Sequence, residues 1–274
     1  MNNIKALAID LDGTLLRPDS SISERTVKTL KLYIDRGVKI IIATGRSLES
    51  AEKFCRIIGA EGAMIFFNGA EVVEMPSQKI VYSRFLQAEV IEYCAELAKR
   101  EGLYYQIYVP DSSKKQHSLL LTEKHTEQAD FYYEHTGIKP AVMDFKQIIA
   151  KPGFSGAMKS MYLAEGEHHE RVKKELYERF GDKICIVRSS PTYLEVLRAG
   201  VSKGSGLTHA ISYYNISPDN VIAFGDEEND LSMFGTAAFA VALSNAKEEV
   251  REQADLVIGS NAEDGIAEFL EQHI

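Results

Sequence analysis

Long apolar runs are missing from this 274-residue chain: even Val38 to Ala43 stops at Thr44, Gly45 and Arg46. Nothing approaches the roughly 18 apolar residues of a membrane span, so no membrane partner is expected. Positive charge is in deficit, with 31 Lys and Arg against 40 Asp and Glu, a net charge of −9. A field of that sign opposes a nucleic-acid backbone, so no nucleic-acid partner is expected either. Cysteine is scarce: Cys55, Cys94 and Cys185 are odd in number and widely spaced, which fits reduced structural thiols better than a disulfide framework. The apolar stretch Ala6 to Ile9 ends at Asp10, too soon for an export signal, and a cytoplasmic location is expected. Internal repeats, low-complexity linkers, a Walker pattern and a full dinucleotide fingerprint are all lacking, and the seven histidines form no ligand pattern with cysteine. ATP, NAD and zinc thus find no support, and Ser205 with His209 lacks the third member of a serine triad.

What is present is an ordinary globular mixture, 45% hydrophobic and 26% charged, in a chain long enough for two domains. The opening alternates short apolar runs with helical patterns, the grammar of a parallel sheet with crossover helices. Strands are expected at Ile4 to Ile9, Val38 to Ala43 and Ala63 to Phe67; Ser23 can cap a helix carrying Val27, Leu30 and Ile34, and Leu48, Ala51, Phe54 and Ile58 mark a second helix. From about residue 85 the pattern changes. A helix at Ala88 to Arg100, an aromatic strand at Leu103 to Val109, a charged helix at Glu167 to Phe180 and strands at Met158 to Leu163, Ile184 to Val187 and Tyr193 to Leu197 indicate an α+β unit. Between them, Lys114, Lys115 and His117 make a short basic rim, either an attractor of phosphate or a solvated loop. The βα grammar then resumes, with a helix at Leu207 to Tyr214, strands at Val221 to Phe224, Phe239 to Ala242 and Leu256 to Ile258, and a closing helix at Asp264 to Leu270. The expected architecture is an α/β core built from residues 1–84 and 199–274, interrupted by a domain at 85–198, with the active site in the cleft between them.

The strongest local signal is Asp10-Leu11-Asp12-Gly13-Thr14 at the end of the first strand. If strand geometry persists, both carboxylates reach one side, and their repulsion is relieved by a divalent cation shared with a phosphate ester. A cap on the following turn fits an isolated pair of aspartates equally well. Gly225-Asp226-Glu227-Glu228-Asn229-Asp230 repeats the situation after another strand. Asp226 leads as a hard-cation ligand, Asp230 is a ligand or a support for one, Glu227 and Glu228 form a solvated rim, and Asn229 orients a carboxylate or caps the turn. Thr44 and nearby backbone donors can hold a phosphoryl oxygen, and Lys203 can neutralise it, although an ordinary turn and a solvent-facing lysine are the plainer readings of each alone. Arg46 contacts phosphate or leads the next helix.

Taken in order, Asp10 to Thr14, Ile42-Ala43-Thr44-Gly45-Arg46, Lys203-Gly204 and Gly225 to Asp230 resemble the haloacid dehalogenase-like hydrolases, and more narrowly their Cof-type sugar-phosphatase branch. The resemblance spans essentially the whole chain and none of the four motifs departs from the pattern. It implies a Rossmann-like core with an inserted α+β cap of type C2, and Mg²⁺ as cofactor. It implies that Asp10 is the nucleophile and Asp12 the general acid and base, and that Thr44, Gly45 and Lys203 bind the transferring phosphoryl group. Asp10, the Asp12 backbone carbonyl, Asp226 and Asp230 would form the metal site. The positions matching Asn68 and Asn245 lie near the site, Asn245 as a phosphate contact and Asn68 as either a contact or a turn former.

The implied activity is Mg²⁺-dependent hydrolysis of small phosphate monoesters, above all sugar phosphates, through an aspartyl-phosphate, by a monomer whose partner is a small phosphorylated metabolite. A phosphomutase would use the same intermediate but return an isomeric phosphate. A non-enzymatic phosphate-responsive switch would turn over slowly, which a general base beside the phosphorylated aspartate opposes.

Overall fold

The structure is a computed structural model and describes residues 3–113, 115–164, 166–190 and 192–273; Lys114 of the basic rim lies outside them. The chain divides into two compact units, one comprising Met1–Arg46, Ala51–Tyr82 and Ser202–Ile274, the other Ser47–Ser50 and Ser83–Val201.

The first unit is built on a five-stranded parallel sheet, ordered Leu256–Ile258, Phe239–Leu243, Val221–Gly225, Ala6–Ile9, Lys39–Ile42. Its central strands are continuous apolar runs because helices cover a parallel sheet on both faces; Leu7, Ile9, Ile41 and Phe224 have no exposed surface. Burying each such side chain contributes about 1.5–3 kcal/mol. Strand register places the loops. Ile9 lies opposite both Phe224 and Ile42, so the three strands end at one level and release Asp10, Asp226 and the Ala43–Thr44 segment side by side. Ser23 caps the helix Glu24–Asp35 by accepting from the Thr26 amide, and that helix buries Leu30 and Tyr33.

Two elements of this unit differ from the sequence expectation. Gly62–Phe66 leaves the parallel sheet after a single bridge, Ala43 to Ile65, and pairs antiparallel with Glu71–Met75 in a separate sheet completed by Lys79–Ser83. Buried apolar residues lie on both Gly62–Phe66 and Glu71–Met75, a pattern that does not distinguish parallel from antiparallel pairing. The helix expected from Leu207 starts at Lys203 instead. Gly204 and Gly206 hide its first turn from a propensity reading, but Ser202 and Ser205 form a reciprocal capping box that offsets their cost.

The second unit carries a six-stranded mixed sheet, ordered Ile184–Ser190, Tyr193–Arg198, Lys159–Leu163, Tyr104–Pro110, Ser118–Thr122, Ala141–Val142. Helices Ala88–Glu101 and Glu167–Phe180 pack on one face through Ile91, Cys94, Val172 and Leu176, against Tyr105, Ile107 and Tyr162. A parallel core sheet together with an inserted mixed sheet is the α/β architecture with an α+β insert that the sequence led us to expect. The three cysteines are free thiols, and burial pushes those of Cys55 and Cys94 up to about 12. No helix among the described residues is long and apolar enough to cross a membrane.

Candidate active site

Asp10 is the first residue beyond its strand, and its side chain turns inward with 4% of the residue exposed. Lys203, the first residue of its capped helix, is also buried and places Nζ 2.5 Å from Asp10 Oδ1 and 2.7 Å from Asp230 Oδ1. Asp230 has no exposed surface, and its Oδ2 accepts from the backbone amides of Asp226 and Glu227 at 3.0 Å each. Asp226 completes the cluster and accepts from the Thr14 hydroxyl at 2.7 Å. Gly13 permits that approach, since a Cβ there would lie 2.1 Å from Asp226 Oδ2, and its φ of +82° is one that residues with side chains rarely adopt.

Asp10, Asp226 and Asp230 each offer an oxygen within 4.8 Å of the others, the one such group of three among the described residues. One ammonium cannot neutralise three carboxylates. Burial pushes the Asp10 carboxyl well above the usual carboxylate range, and Asp230, Asp226 and Asp12 push the same way against the attraction of Lys203. Burial likewise drives Asp226 up to about 7, opposed by the Thr14 hydrogen bond. Burial alone would lower the Lys203 pKa, but Asp10 and Asp230 outweigh it and hold the ammonium charged. All three acids supply hard oxygen donors and the cluster keeps surplus negative charge, so the residues fit a hard divalent cation such as Mg²⁺.

Asp12 behaves differently. The strand ends at Ile9 and the chain turns through Leu11 to Thr14, so the two aspartates part company rather than sharing an extended face. The Asp12 carboxylate is 55% exposed and is gripped by Arg46, with Nη2 at 2.5 Å and Nε at 2.7 Å. Arg46 is therefore a partner of Asp12, an outcome that neither sequence reading of Arg46 contained. Thr44 is 1% exposed; its hydroxyl accepts from the Arg46 amide at 3.1 Å and its carbonyl from the Asn68 amide at 3.0 Å. Gly45 packs against the Asn68 carboxamide, at 3.1 Å from where a Cβ would stand. Asn245 braces the first loop, donating to the Gly13 carbonyl at 2.8 Å while its Oδ1 accepts from the Asn261 amide at 3.0 Å. Asn261 in turn donates to the Leu16 carbonyl at 2.6 Å. Glu227 and Glu228 stand at the rim, where Lys247 reaches them at 2.8 and 3.1 Å.

Sequence reasoning gave no role to Thr14 or Asn261 and a different one to Asn229. Thr14 was visible within the first motif but had no role without its distant partner. Asn229, expected to orient a carboxylate or cap the turn, donates through Nδ2 to Asn68 Oδ1 at 3.0 Å. Asn261 carries no local signal, because its partners lie 16 and 245 residues away.

The haloacid dehalogenase-like hydrolase family matches residues 7–270 of the chain. Among curated relatives, the 5-amino-6-(5-phospho-D-ribitylamino)uracil phosphatase YwtE of Bacillus subtilis is 28% identical across 98% of this chain and 98% of its own length. A solved haloacid dehalogenase-like hydrolase from Bacteroides thetaiotaomicron has a TM-score of 0.86 at 28% identity, covering 99% of this chain and 100% of that one. A solved sugar phosphatase of HAD subclass IIB has a TM-score of 0.79 at 25% identity and covers 98% of each chain. The chain belongs to the haloacid dehalogenase-like hydrolases, in their Cof-type branch, and is a phosphatase of phosphate monoesters.

Proposed function

We propose that the chain hydrolyses small phosphorylated sugars and polyols through a phosphorylated Asp10. The observation that carries this reading is Lys203 Nζ between Asp10 and Asp230, 2.5 and 2.7 Å away in a buried cluster with surplus negative charge. Mg²⁺ held by Asp10, Asp226, Asp230 and the Asp12 carbonyl would supply the charge compensation that lets a phosphate dianion approach a carboxylate. Lys203 adds a fixed positive charge beside the attacking oxygen, and Thr44 with the Gly45 backbone holds the phosphoryl oxygens.

An Asp10 carboxylate oxygen forms a bond to phosphorus as the ester oxygen leaves, and Asp12 gives that alkoxide its proton. Asp12 then takes a proton from water as the water oxygen attacks phosphorus, the bond to Asp10 breaks, and inorganic phosphate departs with Asp12 protonated again. Exposure suits Asp12 to proton exchange, and Arg46 must yield its grip when Asp12 carries the proton. Substrate choice is assigned to the inserted unit, because the acidic cluster with Lys203 recognises only the group common to all phosphate monoesters. The named relatives act on a phosphorylated ribitylamino compound and on sugar phosphates, both of which carry phosphate on a hydroxylated carbon chain.

The test is phosphate release with and without Mg²⁺ across phosphosugars, phosphorylated ribitylamino compounds, nucleotides and phosphorylated cofactors. Asp10→Asn should abolish turnover, and Asp12→Asn should trap radiolabelled phosphoenzyme. Full activity of Asp10→Asn rules out the nucleophile, and an isomeric phosphate in place of inorganic phosphate marks a mutase.

A further inference from the structure

We infer that Asn68 is a positioning residue for the Thr44–Arg46 loop, held for that purpose in a strained left-handed turn; the inference rests on the reading of that loop as the phosphoryl cradle. Three consecutive residues have positive φ: Phe67 at 51°, Asn68 at 56° and Gly69 at 96°. Glycine adopts this region freely and asparagine tolerates it, but a bulky phenylalanine there is an outlier that surrounding structure must enforce. Such outliers gather where geometry serves chemistry.

The surroundings are the three segments that carry the site. Phe67 and Asn68 donate their amides to the carbonyls of Arg46 and Thr44, both at 3.0 Å, so the turn is laced to the cradle loop. Gly69 lies against the cap of the Lys203 helix, where a Cβ would fall 2.0 Å from the Ser202 carbonyl oxygen. Asn68, 1% exposed, accepts through Oδ1 from Asn229 Nδ2 at 3.0 Å, one residue before Asp230, while its carboxamide fills the space beside Gly45. A turn needed only to link Gly62–Phe66 to Glu71–Met75 would be served as well by glycine at position 68. The buried carboxamide, bridging the cradle loop to the acidic loop, is what glycine could not supply. By holding the Gly45 backbone at a fixed distance from the acidic loop, Asn68 sets where phosphoryl oxygens sit relative to Asp10.

Asn68→Gly separates the two roles, since glycine keeps the left-handed turn and deletes the carboxamide. With p-nitrophenyl phosphate as substrate, kcat/KM should fall about 10- to 100-fold, the scale of an ångström-level misplacement. The inhibition constant of inorganic phosphate should rise about tenfold in parallel. The melting temperature should fall by no more than the few degrees that one hydrogen bond is worth, and half-saturating Mg²⁺ should stay within about twofold, because the turn acts on the cradle and not on the acids. Asn229→Ala should reproduce part of the phosphate effect and add nothing to Asn68→Gly in the double variant. Wild-type kcat/KM and phosphate affinity in Asn68→Gly overturn the inference, as does a matching loss of Mg²⁺ affinity and melting temperature, which would mark general collapse. An active Asp10→Asn removes the phosphoenzyme reading itself; an unaffected Asn68→Gly beside an inactive Asp10→Asn removes only the positioning role.

Discussion

Each unit of the protein buries a lysine against acid, and the two arrangements differ in the acids that gather round the lysine. In the inserted unit, Lys159 and Glu195 meet at 2.6 Å with side chains 4% and 3% exposed. In the first unit, Lys203 faces Asp10 and Asp230 with Asp226 alongside, so negative charge is left over. Opposite charges in direct contact offset part of their desolvation, and this contact belongs to the architecture. An unmatched cluster keeps a cost that either a bound proton or a bound cation relieves, and at neutral pH a hard cation is the stronger of the two.

The largest effect that would break this contrast is on stability. Glu195→Gln should leave Lys159 charged and buried, lowering unfolding free energy by about 3–5 kcal/mol in denaturant titrations. An unchanged midpoint would mean that the pair is not the structural element described.

Asp226→Asn should move stability the other way. The Asp226 carboxyl rises from 3.8 to about 7 on folding, so between roughly pH 4 and 7 the folded protein holds a proton that the unfolded chain has released. Stability of the metal-free protein should therefore fall as pH rises through that window, at up to roughly 1.4 kcal/mol per pH unit. Mg²⁺ added at neutral pH should restore the loss with release of protons. Asp226→Asn should flatten the slope and raise the metal-free melting temperature above pH 7, while cutting Mg²⁺-dependent turnover by at least about 100-fold. Melting curves from pH 4 to 8, with and without Mg²⁺, check both signs; a metal-free profile that rises with pH would contradict the surplus of negative charge.

The smallest effect sharpens the comparison within the first unit. Asn261→Ala removes one donor to Leu16 but leaves every acid in place, so it should cost about 1 kcal/mol of stability. Turnover should fall only a few-fold, as for a brace rather than a reacting group, with Mg²⁺ activation unchanged. Calorimetry and steady-state kinetics on the same sample separate this outcome from loss of the site.

Much of the fold was readable in one dimension because apolar runs at strand length need a sheet, and helical spacing between them needs crossovers. That reasoning located Asp10, Thr44 and Asp226 at strand ends, since a motif that directly follows a buried run has only one place to go. It failed at Gly62–Phe66, where an apolar run cannot declare its partner, and across Ser118–Ile149, where short elements such as Ala141–Val142 carry too little pattern to register.

Ordered motifs along the chain were enough to indicate the family and its phosphatase class, because the residue types a phosphoryl transfer needs are few and their spacing follows the strands that present them. Only tertiary structure decided how those residues are held. Arg46 on Asp12, Thr14 on Asp226, the Asn245–Asn261 brace and the left-handed turn at Asn68 join positions that are 34, 212, 16 and 161 residues apart. Hydrogen bonds across such separations depend on where the sheet register and helix caps bring loops to rest, a property of packing that no local run of residues encodes.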